Sequence, residues 1–331
     1  MEFKREVKKV IEVKNLVKKY GNHLAVDHLS FTVEKGQIYG FLGPNGAGKS
    51  TTMNIMTGYI ASTEGEVIIN GHDILEEPEE AKRCIGYLPE LPPLYMDMTV
   101  AEYLKFAAEL KKIPKDKRKS QIEGIMELVG VTDMQSRLIK NLSKGYRQRV
   151  GLAQAILGYP EIIILDEPMV GLDPKQIIEI RELIRKLSEN HTVILSSHIL
   201  SEISEICDHI MIINKGKLVA SDTTENLSKM TFGSNTLDVV VKGSKARLEG
   251  LLRGVAEIDE LEWKQSEEGE TAVSIKTAEK VDLREKLFYL MAANQMPILE
   301  MKSTRVSLED VFLELTGNSE QKEETNHDSG L

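Results

Sequence analysis

The sequence predicts an α/β fold built around a parallel sheet, and three segments carry this prediction. Ile162–Leu165 is wholly apolar, which is typical of a strand buried on both faces of a sheet. Residues 192–196 form a second such run, and Asp173-Pro174 between the two has the N-cap and first-position residues of a helix. Residues 37–42 form a third run, followed by a glycine-rich loop and a helix-like segment. Strands and helices in this order predict right-handed crossovers within one sheet.

The first hundred residues predict strands and turns, and the pattern changes to helix near Thr99. The predicted strands are residues 11–14, 29–33, 37–42 and 66–69, and Asn70-Gly71 marks a turn. Thr99 and Glu102 match a capping box, and apolar residues continue with helical spacing to Leu110. We expect a charged loop over residues 111–119 and a further helix over 121–129.

A second change of pattern, near residues 230–235, predicts two domains. The first spans residues 1–233 and includes a helical subdomain at about 91–160, and a small α/β domain spans 234–317. The predicted strands of the small domain are residues 237–241 and 272–275, and its predicted helices are 281–291 and 307–315. We expect Trp263 to serve packing, and the polar tail 318–331 to be disordered.

Composition narrows the possible partners. The net charge of −10 argues against nucleic acid, which binds clustered Lys and Arg. No apolar run approaches the roughly 20 residues that cross a bilayer, and the charged N-terminus lacks an apolar signal segment. Action at a membrane would therefore need another chain to span it. The two cysteines, Cys84 and Cys207, are expected to be buried small hydrophobes in the cytoplasm.

Residues 43–51 carry the most specific pattern in the chain, G-x-x-x-x-G-K-[ST], between a strand and a helix. Glycines let successive backbone N–H groups turn inward around phosphates, and the following helix adds unpaired N–H groups and the positive end of its dipole. We expect Lys49 to reach the β- and γ-phosphates and Ser50 to offer its hydroxyl to Mg²⁺. The residues expected at the nucleotide here are Gly43, Pro44, Asn45, Gly46, Ala47, Gly48, Lys49, Ser50 and Thr51.

Polar residues follow two of the predicted strands. Asp166, at the end of the first, is expected to orient the Mg²⁺ shell, and Glu167 to polarise the water that attacks the γ-phosphate. His198 follows the strand at 192–196 and can hydrogen-bond a γ-phosphate from the same edge of the sheet. The remaining histidines, His23 among them, are expected to be incidental.

Ser143 predicts a second anion site, because it stands at the N-cap of a helix and is followed by Gly145. A single chain does not need two phosphate-binding sites in different places, whereas two chains that face each other do. An ordinary capped helix is the alternative interpretation of the same residues.

In this order the motifs resemble an ATP-binding-cassette (ABC) ATPase subunit of a transporter, over about residues 9–230. They are Tyr20 as the adenine platform, residues 43–51 as Walker A, Ser143 to Gln148 as the signature, Asp166-Glu167 as Walker B, residues 171–173 with Asp173 as the D-loop, and His198 as the switch histidine. The resemblance implies a head-to-tail dimer, of one chain or of paired ATPase subunits, that sandwiches two ATP molecules with Mg²⁺. It also implies attachment to a membrane-spanning permease at the cytoplasmic face.

The chain departs from the family pattern at two positions. The signature is usually Leu-Ser-Gly-Gly-Gln, and here it is Leu142-Ser-Lys-Gly-Tyr146, in which Ser143 and Gly145 are retained. Lys144 adds a positive charge near the expected phosphate. The loop that usually carries glutamine has Glu90, whose carboxylate can bind Mg²⁺ or position water but cannot donate a hydrogen bond when ionised.

The narrower resemblance is to exporters. Residues 307–317 are similar to the C-terminal ending of drug-, sodium- and polysaccharide-exporter ATPases, and residues 87–90 are similar to gliding-motility exporter subunits. The apolar segment 88–98 is a candidate docking surface for a membrane subunit, and packing onto the helical subdomain is the alternative. Two other functions compete with transport: a soluble ABC ATPase that remodels nucleic acid or ribosomes, and a regulatory module that uses ATP only as a switch.

Overall fold

The computed structural model describes residues 8–230, 235–267, 269–277 and 282–304, together with Phe312 and Thr316. The chain divides into two compact units, Met1–Thr224 and Glu225–Leu331. The predicted boundary at 233/234, most of the predicted helix at 307–315 and the tail 318–331 lie outside the described residues.

Two sheets form the first unit. Its strands are β1 (Lys9–Tyr20), β2 (His23–Glu34), β3 (Ile38–Leu42), β4 (Glu64–Ile69), β5 (His72–Asp73), β6 (Ile85–Leu88), β7 (Ile162–Leu165), β8 (Thr192–Ser197), β9 (His209–Asn214) and β10 (Lys217–Thr223). One sheet has the order β2-β1-β4-β5 with antiparallel pairs. The other has the order β10-β9-β3-β8-β7-β6, in which only the β10–β9 pair is antiparallel. The predicted parallel sheet is confirmed, and the carboxyl ends of β3, β7 and β8 share one edge.

Helices cover and extend these sheets. They are α1 (Lys49–Met56), α2 (Pro78–Arg83), α3 (Val100–Leu110), α4 (Lys115–Val129), α5 (Lys144–Ile156), α6 (Pro174–Ser188), α7 (Leu200–Ser204) and, across the boundary, α8 (Thr224–Met230), with 3₁₀ turns at Thr132–Met134 and Ile139–Asn141. A core between the two sheets includes Phe31 and Phe41, whose rings meet edge to face at 5.2 Å. This core holds the site-bearing ends of the strands in place.

The predicted capping box at the start of α3 is confirmed, because Thr99 and Glu102 exchange hydrogen bonds. The predicted charged loop at 111–119 is partly wrong, since α4 begins at Lys115 after Pro114. Its first turns lack apolar residues because they face solvent, and the buried face starts only at Ile122.

Strand β1 is longer than the predicted 11–14. Register shifts between Val13 and Leu16 and between Leu16 and Lys18 interrupt the alternation of buried and exposed residues that reveals a strand. Despite these shifts the strand continues to Tyr20, and the Tyr20 ring lies beside the glycine-rich loop. Of the two cysteines, Cys207 is buried as expected, but Cys84 is only half-buried.

The second unit contains β11 (Asn235–Lys242), α9 (Lys245–Leu252), β12 (Ile258–Lys264), β13 (Glu270–Thr277), α10 (Arg284–Ala293) and β14 (Ile298–Thr304). Its antiparallel sheet has the order β12-β13-β11-β14. This is the ferredoxin-like split βαβ arrangement. Trp263 packs against the core of this unit, and Nζ of Lys245 lies 4.7 Å from its ring centre, so the expected packing role is confirmed.

Candidate nucleotide-binding site

The glycine-rich loop joins β3 to α1, which begins at Lys49, within the predicted phosphate-binding segment. Gly48 has φ 100°, and a Cβ there would lie 2.5 Å from the carbonyl oxygen of Ala25. A Cβ on Gly43 would lie 2.2 Å from the carbonyl oxygen of Ile213. Both positions therefore require glycine, which allows the loop to turn tightly against the sheet.

The side chain of Lys49 is held in place by backbone carbonyl groups of this loop. Its Nζ donates to the carbonyl oxygens of Gly43 at 2.8 Å and Pro44 at 3.2 Å. The side chain is 5% exposed and lies 3.6 Å from Oε1 of Glu167. The ammonium is thus fixed at the point where the loop meets the end of β7.

Asp166 follows β7 and accepts two hydroxyl hydrogen bonds on Oδ1. Ser50 donates to it at 3.2 Å and Ser196 at 2.6 Å. The predicted pairing of Ser50 with Asp166 at one metal position is geometrically consistent with this contact. Ser196 on β8 was missed by sequence reasoning, and the only signal for it was a polar residue at the end of an apolar strand.

Glu167 is held in an unusual backbone conformation. Its φ is 48°, in the left-handed region that side chains other than glycine rarely occupy. Its N–H donates to Oγ of Ser196 at 2.8 Å, and its Oε2 lies 3.0 Å from Nδ1 of His198. Strained backbone maintained by buried partners is a feature of functional sites, and here it directs the carboxylate toward Lys49 and His198.

Glu90 reaches the same region from the loop after β6. The end of β6 that leads into this loop is tied to α1, because Oη of Tyr87 donates to Oδ1 of Asn54 at 3.1 Å. Burial, and secondarily the charge of Asp166, raises the pKa of Tyr87, so its hydroxyl stays protonated and continues to donate. Glu90 itself is exposed.

The glycine-rich loop, Glu90, Glu167 and His198 line one cleft of about 400 Å³, and Ser50 in its wall donates a hydrogen bond to Asp166. Its lining residues are Tyr20, His23, Ala25, Asn45, Gly46, Gly48, Lys49, Ser50, Thr51, Glu90, Glu167, Val170 and His198. Tyr20 is 49% exposed, and Nζ of Lys18 lies 5.2 Å from its ring centre. The cleft adds His23, which sequence reasoning treated as incidental, and Val170 and Ala25, which carried no sequence signal.

The predicted signature residues lie outside this cleft in the described protomer. Ser143 caps α5, and its Oγ accepts the N–H of Tyr146 at 3.4 Å. A Cβ on Gly145 would lie 2.8 Å from Cδ of Gln176, and Gln148 is buried within the same helix. Asp173 caps α6 by accepting the N–H of Gln176 at 2.9 Å. The structure therefore places Ser143 and Asp173 at the N-termini of two helices that touch, α5 and α6, and outside the cleft that Lys49 lines.

The cleft offers distinct groups for distinct parts of a nucleotide. Backbone N–H groups and Lys49 suit phosphates, and the exposed ring of Tyr20 suits a planar base. Oxygens of Ser50, Asp166 and Glu90 suit Mg²⁺, which binds few protein ligands and completes its shell with phosphate and water. Within the described ranges no group of three or more His, Cys, Asp or Glu could hold a metal ion alone.

The glycine-rich loop lies between a strand and a helix, and it carries Lys49 and Ser50 to the acidic end of another strand of the same sheet. This arrangement defines a P-loop nucleoside triphosphatase. A protein-family model described as ABC transporter matches residues 26–170. The chain is 37% identical over 324 residues to the uncharacterized ABC transporter ATP-binding protein YhcH of Bacillus subtilis (strain 168), covering 97% of this chain and 100% of that protein. The chain belongs to the ATP-binding proteins of ABC transporters.

Two further relatives carry functional names. The bacitracin transport ATP-binding protein BcrA of Bacillus licheniformis is 36% identical over 310 residues, which cover 93% of this chain and 97% of that protein. The linearmycin resistance ATP-binding protein LnrL of Bacillus subtilis (strain 168) is 30% identical over 311 residues, which cover 94% and 99%.

Solved structures agree with this assignment. The ATP-binding subunit of an ABC transporter superposes with a TM-score of 0.61 at 30% identity, covering 66% of this chain and 92% of that one. A dimeric ATP-binding cassette in a post-hydrolysis state with ADP and Pi superposes with a TM-score of 0.59 at 25% identity, covering 65% and 98%. The predicted family, fold and ATPase activity are confirmed: the protein binds and hydrolyses ATP to power a transporter. ATPase subunits of this family work with permeases and form dimers.

Proposed function

We propose that two ATPase chains close head to tail around two ATP molecules and thereby drive export through a separate permease. The observation that carries this proposal is the separation, within one protomer, of Ser143 from the cleft that contains Lys49. A second chain would bring its Ser143, with the free N–H groups of α5, to the γ-phosphate bound by Lys49 of the first. Hydrolysis then removes the charge that both chains hold, and the pair reopens.

The residues that the sequence predicted at this site have proposed roles in this cycle. The loop from Gly43 to Thr51 and Lys49 bind the phosphates, and Tyr20 stacks on adenine. Glu167 accepts the proton of the attacking water, and His198 orients Glu167 and contacts the γ-phosphate. In the partner chain, Ser143, Gly145, Gln148 and Asp173 form the opposite wall of the site.

The proposed metal is Mg²⁺, and the chain's own oxygens fit it. Ser50 and Asp166 lie 3.2 Å apart through Oγ and Oδ1, and Glu90 lines the same cleft. When bound, Mg²⁺ would neutralise charge on the phosphates. Ser196 keeps Asp166 oriented for this role by donating to the same oxygen.

Export is supported by the relatives, one of which is named for linearmycin resistance. Among the described residues no helix is long and apolar enough to cross a membrane. We propose that the protein works at the cytoplasmic face of the membrane, held there by a permease formed by a separate chain.

Only part of the segment 88–98 is exposed, so the proposed docking surface is smaller than the whole segment that the sequence indicated. Leu88 is buried, and Tyr95 packs against Tyr103 and Phe106 with ring centres 6.0 and 5.4 Å away. Packing thus explains part of the segment. Leu91 remains 79% exposed and Met96 41% exposed, and these side chains are the proposed contacts for the permease.

The competing functions have weaker support. The net charge of −10 disfavours a nucleic-acid remodelling ATPase. A purely regulatory ATP switch does not need a carboxylate held as Glu167 is, between Lys49 and His198.

The test is affinity purification of the tagged chain from detergent-solubilised membranes. We expect recovery of a protein with several apolar spans, and we expect Leu91→Glu to reduce that recovery while ATP hydrolysis stays normal. Lys119→Ala, a change at an 87% exposed position on α4, is the matched control. Recovery of RNA or ribosomes in place of a membrane protein would refute the transport assignment.

A further inference from the structure

Lys144 makes a contact that its position in the signature does not require. It is the first residue of α5, directly after the N-cap Ser143, where the family pattern usually has glycine. A Cβ built on Gly171 would lie 2.2 Å from Nζ of Lys144, and 3.3 and 3.6 Å from its Cε and Cδ. The ammonium therefore rests directly on the backbone at Gly171, a position with φ 69°.

Gly171 belongs to the loop that links the hydrolytic residue to α6. Two backbone hydrogen bonds shape this loop. The N–H of Val170 donates to the backbone carbonyl oxygen of Glu167 at 3.2 Å, and the N–H of Leu172 donates to that of Met169 at 3.2 Å. Val170 also lines the ATP cleft. Lys144 thus touches the outer side of a loop whose beginning, at Glu167, lies inside the ATP site.

The rest of the contact between α5 and α6 does not depend on Lys144. Gln176 packs on Gly145, and Arg149 forms an ion pair with Glu179 at 2.5 Å while donating to the carbonyl of Val129. These contacts keep the two helices together. The ammonium of Lys144, at the end of a flexible stem, can move without separating them.

Electrostatic forces on the Lys144 ammonium determine the direction in which it moves. The N-terminus of a helix carries partial positive charge, which repels a cation in the first turn. Within the described part of the chain, no carboxylate forms an ion pair with Lys144, so the contact with Gly171 is not a salt bridge. A phosphate at Ser143 would reverse the local field and attract the ammonium.

We infer that Lys144 is a positioning residue that couples the two ATP sites. In each chain it rests on the Gly171 loop, and the γ-phosphate of the partner's ATP draws it toward Ser143, which releases the loop that carries Glu167. This inference rests on the proposed two-chain ATP site and adds to it the residue that transmits phosphate binding from one site to the other.

The first test measures ATP-dependent dimer formation by analytical ultracentrifugation in a Glu167→Gln background. We expect Lys144→Ala to weaken the dimer by about tenfold, within the usual range of coupling between sites. Lys144→Arg should retain most of the dimer affinity, and Lys119→Ala should not change it. Binding of a fluorescent ATP analogue to the monomer should be equal in all four proteins, because Lys144 does not line its own cleft.

A double-mutant cycle tests the route through the loop. Gly171→Asn, whose side chain tolerates the positive φ of 69° at this position, should displace the ammonium and change kcat in the otherwise native protein, but should have much less effect when Lys144 is already Ala. Additive effects on kcat would overturn the inference, as would a normal dimer with Lys144→Ala. A lack of any ATP-dependent dimer in the Glu167→Gln protein would instead overturn the proposed two-chain site, and this inference with it.

Discussion

Oε1 of Glu167 lies 3.6 Å from Nζ of Lys49, and both side chains are more than nine-tenths buried at 8% and 5% exposure. The residue proposed to activate water and the residue proposed to bind phosphate are therefore in direct ionic contact. Each charge compensates the burial of the other. His198 on the other carboxylate oxygen and Ser196 on the backbone N–H hold Glu167 in the same orientation.

Lys49→Ala should remove most nucleotide affinity. The ammonium is positioned where phosphates would lie, and charge-assisted hydrogen bonds of this kind contribute about 1.5–3 kcal/mol, which corresponds to an increase in Kd of about 10- to 150-fold. Titration calorimetry with ATP measures the change, and thermal unfolding checks that the unpaired Glu167 has not unfolded the protein. An unchanged Kd would contradict the phosphate-loop assignment.

Glu167→Gln should preserve ATP binding and nearly abolish turnover. Glutamine keeps the shape of the side chain but cannot accept a proton, and loss of a general base costs about 10²- to 10⁴-fold in rate. Phosphate release measures kcat, and sedimentation should reveal a dimer that persists with ATP. Native rates of hydrolysis in this variant would rule out Glu167 as the base.

Glu90→Gln should change Mg²⁺ dependence more than ATP binding. Loss of one carboxylate at an ion that has few protein ligands should shift the half-saturating Mg²⁺ concentration by about tenfold. ATPase assays at graded Mg²⁺ with fixed ATP provide the measurement. If neither Mg²⁺ dependence nor ATP affinity moves, Glu90 is only a carboxylate at the rim of the cleft.

Ser196→Ala should lower kcat while ATP binding by Lys49 persists. The change removes a hydrogen bond to Asp166 and leaves the N–H of Glu167 without its acceptor, which should destabilise the fold by about 1–3 kcal/mol. The neighbouring Ser197 offers a matched control, because it is equally buried and bonds Glu202 and Ile199 instead. Ser197→Ala should destabilise the fold to a similar extent but leave kcat intact. Equal loss of kcat in both variants would show that Ser196 has no specific role.

His209 should make the stability of the first unit depend on pH. Burial between strands, against Tyr39 at 5.1 Å, lowers the pKa of His209 below its ordinary 6.5, and the charges of Asp222 and Glu34 oppose this only in part. The unfolded chain then binds more protons near this pH, so stability should fall as pH drops from 6.5 through the folded-state pKa. Urea unfolding of the native protein and of His209→Gln between pH 5 and 7.5 measures how steeply the free energy of unfolding changes with pH in each protein. Identical slopes would contradict the prediction.

Sequence could predict the parts of the site that lie within one continuous segment. The glycine-rich loop, the Asp166-Glu167 strand tip and the Ser143 cap each combine side-chain chemistry with local structure. Ser196 could not be found in this way, because its role depends on β8 lying between β3 and β7 in the sheet. Strand order is a property of tertiary packing, and no short-range spacing encodes it.

The same distinction explains the errors in the fold. The first turns of α4 have the sequence pattern of a loop because their residues face solvent. The sequence predicts too short a β1 because its register shifts break the alternation on which strand prediction depends. In the second unit, β12 and β14 were missed, since each has only a partial apolar face and is defined by pairing with β13 or β11. Packing, rather than local propensity, decides these elements.

The position of β3 inside its sheet also constrains how the protein is made. Ile38 pairs with Val193 and Tyr39 with His209, so the strand before the glycine-rich loop gains both neighbours only when β8 and β9 are present. A nascent chain must therefore emerge from the ribosome through Asn214, the end of β9, before a complete ATP site can form. Until then the apolar β3 has no sheet to join and is open to misassociation. ATP can consequently act as a folding ligand only for the finished domain, and not for its early intermediates.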